Sequence, residues 1–255
     1  MRQSWNHLLF AHWKVPFNKI RPLVPPELDL DTYDGACYVG VVPFAMNCVR
    51  PRYFPPVPLL SDFLELNVRT YVKTPRTAES DAVAQNLAPD SASAWTGGGG
   101  VYFFSLDCNK AVAVELGSKV YKLPYYNALM KLAIEDEWHH YQCVRLHEGE
   151  EQLKFKASYR PTGPIAYSQP GSLEAFLTER YCFLLSHEGT IRRGDVHHRP
   201  WPLQAAEAKI DMNEMAGKFG FDLGSSEPLL HYSRHLDTAE WPLTTYYRQQ
   251  TATTK

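Results

Sequence analysis

Between residues 64 and 72 the chain alternates. Leu64, Leu66, Val68 and Val72 fall on one face of an extended segment, and Glu65, Asn67, Arg69 and Tyr71 fall on the other. That period of two is the signature of a β-strand. Similar reasoning gives strands over residues 5–13, 37–46, 101–107, 129–134, 138–146, 152–160, 180–186, 190–198, 206–212 and 229–235. Gly40 and Pro43 mark bulge positions in the second of these. Helical spacing is confined to three short stretches. Pro16 opens a turn through Ile20. Residues 111–120 carry Val112, Leu116 and Val120 at helical spacing. Ser172 caps residues 172–179, where Leu173, Phe176 and Leu177 form an i, i+3, i+4 stripe.

Many strands joined by short turns, with few helices, predict a β-rich α+β protein built as an antiparallel barrel or sandwich. No strand–helix alternation supports a parallel nucleotide-binding sheet. Residues 1–245 read as a single domain. Within it, 74–100 (TPRTAESDAVAQNLAPDSASAWTGGGG) is small and polar and ends in four glycines, a flexible insertion between two strands. Residues 246–255 read as a polar tail that frays.

Composition narrows the function classes. The chain has 255 residues, 44% hydrophobic and 21% charged, with a formal net charge of −2. No overall basic field would draw nucleic acid or anionic lipid. The five cysteines (Cys37, Cys48, Cys108, Cys143 and Cys182) form no C-x-x-C pair. This argues against a disulfide framework or zinc knuckle and for a reducing compartment. The opening MRQSWNHLLFAHWK is too short in apolar run for a signal peptide, and no window approaches a membrane span. A cytoplasmic protein is expected.

Generic catalytic motifs are absent: there is no G-x-S-x-G, H-E-x-x-H, P-loop or dinucleotide fingerprint. His139-His140 and His197-His198 are adjacent pairs. Neighbours on a strand point to opposite faces, so neither pair can hold one ion without help from elsewhere, and no metal is expected. The Glu65, Asn67, Arg69 row has two readings. On periodicity alone it is a solvated outer face; inside a barrel it would be an inward polar row. Tyr121, Tyr125 and Tyr126 surround Leu123-Pro124 and would either pack or aim hydroxyls at a ligand.

The run WNHLLFAHWKVPFNKIRPLVPPELDLDTYDGACYVGVVPFAM resembles the opening of the YqjF-like family of bacterial proteins. FLELNVRTYV, GVYFFSLD, LPYY, GSLEAFLTERY, VHHRPWPLQ and LLHYSRHLD resemble its later blocks in order, up to about Pro242. That family is grouped by fold with acetoacetate decarboxylase. The resemblance implies a cone-like antiparallel β-barrel around an apolar pocket. The decarboxylase needs a lysine of lowered pKa to form a Schiff base, carried in a Tyr-Pro-Lys-Lys-type motif. The matching place here is Leu123-Pro124-Tyr125-Tyr126, and a phenol cannot form an imine.

The resemblance therefore implies a pocket binding a small keto or acidic molecule without decarboxylase chemistry and without a cofactor. Its expected lining is Glu65, Asn67, Arg69, Tyr102, Tyr125, Tyr126 and Arg180, with Arg69 or Arg180 suited to a carboxylate. Two alternatives stand beside it. One is Schiff-base chemistry through a displaced Lys119 or Lys122. The other is a non-enzymatic scaffold, assembled as a homo-oligomer through strand edges or aromatic patches.

Overall fold

The computed structural model describes residues 1–57, 61–74, 99–224 and 226–248. Thirteen strands appear among them: β1 (Arg2–Val15), β2 (Asp29–Leu30), β3 (Cys37–Arg50), β4 (Phe63–Lys73), β5 (Gly100–Cys108), β6 (Tyr125–Glu135), β7 (Trp138–Arg145), β8 (Lys154–Pro161), β9 (Cys182–His187), β10 (Thr190–His198), β11 (Gln204–Asn213), β12 (Leu229–Glu240) and β13 (Thr244–Arg248). Four short helices punctuate them: α1 (Phe17–Ile20), α2 (Ala111–Lys119), α3 (Leu173–Thr178) and α4 (Glu214–Gly217). No helix of the described residues is long and apolar enough to cross a membrane.

All thirteen strands join one sheet, and the sheet forks. Strands β12, β1, β3, β4 and β5 run side by side as a wall. The free edge of β5 pairs with β6 through Leu106–Cys108 and with β9 at Val101. The free edge of β12 divides likewise, taking β11 at Tyr232 and His231 and β10 at Thr238–Glu240. Two rings result. One closes through β6, β7, β8 and β11, the other through β9 and β10, and the wall is common to both. Closure removes most open edges, the usual liability of a β-sheet. The two pairings of β5 across the fork are parallel, whereas the expected barrel was antiparallel throughout. β6 and β9 reach β5 from opposite ends of its edge, after connections long enough to reverse direction.

The middle of this wall, between the two rings, has little solvated surface, which explains its composition. In β3 every residue from Cys37 to Met46 is buried, and the sequence CYVGVVPFAM is apolar on both faces as a consequence. One face supplies Leu9, Val39, Val41, Leu66 and Val68 to the core of the first ring. There they meet Tyr141, Cys143, Phe155, Ala157 and Tyr159 from β7 and β8. That ring is filled. The other face of β4 carries Glu65, Asn67 and Arg69 into the second ring, which is not filled. The solvated outer face that periodicity alone suggests for this row does not exist: Glu65 and Asn67 are 3% and 4% exposed.

Three further details differ from the sequence reading. Tyr125 and Tyr126 begin β6 rather than lying in a loop, and Arg180 precedes β9 rather than opening it. Of the tail expected to fray from residue 246, residues 246–248 complete β13, which pairs with β10 from Thr190↔Arg248 to Arg193↔Thr244, and 249–255 lie outside the described residues. Polar composition alone hid the Thr and Tyr run (TTYYR) that favours a strand. Of the expected insertion at 74–100, residues 75–98 lie outside the described residues, and Gly100 already belongs to β5.

Candidate functional site

The second ring encloses a chamber of about 200 Å³. Its walls are largely apolar: Trp5 and Leu8 from β1, Phe44 from β3, Phe103 and Leu106 from β5, with Phe183 and Trp201 opposite. Trp5 stacks on Trp201 at 5.7 Å with 16° between the rings, and Phe44 meets Trp5 edge-on at 5.9 Å. Helix α2 closes one side with Val112, Leu116 and Gly117.

Into this apolar box β4 projects its polar row, spaced about 6.6 Å per pair of residues along a strand. Glu65 comes first. The Tyr125 hydroxyl donates to its Oε2 at 2.9 Å. Burial pushes the Glu65 pKa up to about 8, against the pull of that hydrogen bond. The carboxyl is therefore mostly neutral at pH 7 and has a proton of its own to donate. Burial, reinforced by Glu65, likewise raises the Tyr125 phenol well above its ordinary value. Asn67 follows, with Oδ1 buried and without a hydrogen-bond partner. Arg69 comes last. Its Nε and Nη2 are buried and unpartnered, and among the described residues no carboxylate forms an ion pair with it. Its guanidinium lies 5.2 Å from the Phe10 ring and 5.9 Å from the Tyr71 ring. Those contacts hold a cation weakly and leave Nε and Nη2 free.

A hydrogen-bonded group behind Arg69 fixes its surroundings. The Tyr71 hydroxyl donates to the Leu177 carbonyl at 2.6 Å and lies 2.6 Å from His12 Nε2. Since the Tyr71 proton goes to Leu177, His12 Nε2 must be the donor and Nδ1 the bare acceptor. Burial and the positive charge of Arg69 hold His12 well below its ordinary pKa, so the ring stays neutral and adds no charge beside the guanidinium.

Gly117 explains how α2 can lie against this site. A Cβ there would overlap the ring of Tyr125. Gly117→Ala is expected to displace Tyr125 from Glu65 and to cost about 1–3 kcal/mol through overpacking. Thermal unfolding checks the cost. As Glu65 ionises between pH 6 and 9, the hydrogen-bonded Tyr125 ring of the unaltered protein should shift its ultraviolet absorbance, and absence of that shift in the variant checks the displacement.

Four of the residues expected at the site meet there: Glu65, Asn67, Arg69 and Tyr125 all line the chamber. Tyr102, Tyr126 and Arg180 do not. Tyr102 is turned away by a bulge: Val68 pairs with Ser105 but Arg69 pairs with Phe103, so Phe104 is an extra residue. Phe103 then faces the chamber, and Tyr102 lies on the opposite face, beside Phe104 at 5.7 Å and against the core of the first ring. Tyr126 follows Tyr125 on the strand and points to the opposite face. There the Arg145 guanidinium stacks 3.9 Å from its ring, held by two 2.7 Å hydrogen bonds to Asp107. Arg180 donates to Asp31 at 2.7 Å and to the Phe176 carbonyl at 2.7 Å, so its charge is already neutralised.

Neither displaced lysine reaches the chamber. Lys119 forms a surface ion pair with Glu115, and Lys122 is exposed in a left-handed conformation at φ 56°. No lysine lines the chamber among the described residues. Trp5, Phe44, Phe103, Phe183 and Trp201 line it although sequence reasoning did not assign them. The stacked Trp5 and Trp201 are 196 positions apart in sequence, and no local pattern signals such a pair.

The forked sheet has an acetoacetate-decarboxylase-like fold. An acetoacetate decarboxylase from Legionella pneumophila superposes with a TM-score of 0.60 at 10% identity, over 98% of this chain and 88% of that one. The enduracididine biosynthesis enzyme MppR in complex with pyruvate superposes with a TM-score of 0.54 at 13% identity, over 96% and 88%. Within that class the chain belongs to DUF2071, a family described as an uncharacterised conserved protein, whose model matches residues 2–237. The protein YqjF of Bacillus subtilis (strain 168) is 37% identical over 243 residues, 95% of this chain and 91% of its own length.

Proposed function

We propose that this protein, through a single folded domain, binds a small organic acid in the chamber of its second ring, without Schiff-base chemistry. The observation that carries this reading is Arg69, a half-buried residue whose guanidinium holds two buried, idle donors, Nε and Nη2, at the end of an apolar box. Its nearest carboxyl on the strand, Glu65, is mostly neutral. A buried cation without a counter-ion is costly, and a ligand carboxylate accepting from Nε and Nη2 together would remove that cost. Asn67 Oδ1 and the Glu65 proton, one and two strand steps away, ask for a ligand with a further hydroxyl or carbonyl group. The chamber volume of about 200 Å³ lies below the roughly 300–1,000 Å³ of drug-sized sites, which favours a ligand of a few carbons. That the related fold of MppR holds pyruvate agrees with this class of ligand.

The test compares pyruvate and acetoacetate with uncharged ketones of the same size. Saturation-transfer NMR reads binding, and borohydride treatment followed by mass spectrometry reads imine formation. The acids are expected to bind, the ketones not to bind, and no reduced adduct to form. Equal binding of neutral ketones, or a lysine adduct, would refute the reading.

A further inference from the structure

Away from the chamber, the first ring brings together three side chains that no short motif connects. His7 lies on β1, His139 on β7 and Tyr232 on β12. His139 Nε2 is 3.0 Å from His7 Nδ1, the Tyr232 hydroxyl is 3.1 Å from His7 Nδ1, and the same hydroxyl is 3.1 Å from His139 Nε2. The three atoms form a nearly equilateral triangle.

Two hydrogen bonds can serve this triangle, one imidazole N–H to the Tyr232 oxygen and the phenol O–H to the other imidazole nitrogen, and they leave the third edge without a proton of its own. An imidazole nitrogen carries a proton or a lone pair, never both. With one nitrogen protonated and the phenol contributing its own proton, three short contacts share two protons. With both nitrogens protonated, two donors face each other. A cation is the species that all three lone pairs can share. An ion about 2.0–2.1 Å from each atom, the usual zinc–nitrogen distance, would sit roughly 1 Å above the triangle. The angles between its ligands would be roughly 95–100°, those of one face of an octahedron, with the remaining positions open to water.

The surroundings hold the triangle in place. His139 stacks on Tyr159 at 5.2 Å with 11° between the rings, and the Tyr159 hydroxyl donates to the His7 carbonyl at 2.7 Å. His7 itself has a left-handed backbone, φ 52°, in the middle of a strand. It falls where the β1–β3 register slips between Asn6 and Ala11. That conformation is unfavourable for a non-glycine residue, and here it delivers the ring to the other two. His139 and Tyr232 are buried and His7 is half-buried, so an ion has a way in.

We propose that His7, His139 and Tyr232 form a binding site for a late divalent transition metal such as copper(II), nickel(II) or zinc(II). Two imidazoles and a phenolate, with no carboxylate, suit these ions rather than calcium or magnesium. No group of three histidine, cysteine or acidic residues could hold a metal among the described residues. Tyr232 is what completes this set. Binding releases the Tyr232 phenolic proton to solvent as the oxygen–metal bond forms.

Copper(II) and nickel(II) are the probes. The full chain is expected to retain a single ion per molecule after desalting, measured by elemental analysis. It should show a phenolate-to-copper charge-transfer band and melt at a higher temperature with nickel(II) than without. His7→Asn, which tolerates the left-handed backbone, should bind at least about tenfold more weakly. Tyr232→Phe should keep some copper and lose the band. Absence of the band in the unaltered protein at saturating copper overturns the proposal without reference to any variant. So does an affinity unchanged in folded His7→Asn, or a band that survives Tyr232→Phe.

Discussion

Arg69→Met is expected to make the ligand-free protein more stable and to abolish carboxylate binding. The two effects have one cause. The Arg69 guanidinium reaches into a chamber where Nε and Nη2 meet nothing. An apolar side chain of similar length removes that desolvation cost while still filling the space against Phe10 and Tyr71. Replacing buried ionic groups with apolar ones commonly stabilises by about 1–3 kcal/mol, roughly 2–10 °C in a chain of this length. Removing one partner of a buried charge pair costs about 2–5 kcal/mol of binding, a loss of roughly 30- to 4,000-fold. Calorimetric melting and titration with pyruvate measure both. A lower melting temperature together with unchanged binding would show that Arg69 is structural. Arg69→Lys is not a mild control, since an ammonium lacks the planar fork.

Glu65→Gln is expected to flatten the pH dependence of stability. The folded pKa of Glu65 is about 8, raised by burial from the ordinary 4.5 of an exposed glutamate. Between these values the folded state holds a proton that the unfolded state has lost, so stability falls as pH rises through this window and levels off above it. At 1.36 kcal/mol per unit the full loss is on the order of 5 kcal/mol. The groups facing Glu65 are Tyr125, Asn67, Cys108 and Glu240, with Arg69 at the end of its row, and the Asp107 carboxylate acts on it from the opposite face of the sheet. Glu240 is also raised by burial, so it adds slope of the same sign and survives the substitution. Unaltered protein should lose melting temperature from pH 5 to pH 9, and Glu65→Gln should lose much less. Carboxylate binding should weaken above pH 8 in the unaltered protein only, because ionised Glu65 repels the ligand. Parallel pH profiles for the two proteins would place Glu65 in contact with water.

The strand content and the β4 row were legible in the sequence because both rest on a period of two that needs no tertiary information. The chamber was not. A polar row looks the same whether it faces water or a cavity, and burial on both sides shows only in neighbours such as β3, apolar throughout. Tyr102 was misplaced because one bulge residue, Phe104, puts the side chains before it out of step with those after it. Tyr126 was misplaced because LPYY was read as a loop, in which neighbours can converge, whereas it begins a strand, in which they diverge. Arg180 looked available because its partner Asp31 lies 149 positions away. The blocks resembling the YqjF-like family supplied the closed fold, which periodicity alone left open between barrel and sandwich.

The wall common to both rings sets unequal terms for change over evolutionary time. A residue on β1, β3 or β4 has neighbours in the strand whose side chains enter the opposite compartment, so altering one strand there is felt in two places. β9, β10 and α2 touch the chamber but take no part in closing the filled ring. A lineage acquiring a taste for a different small molecule would therefore recarve the roof first and inherit the floor nearly intact.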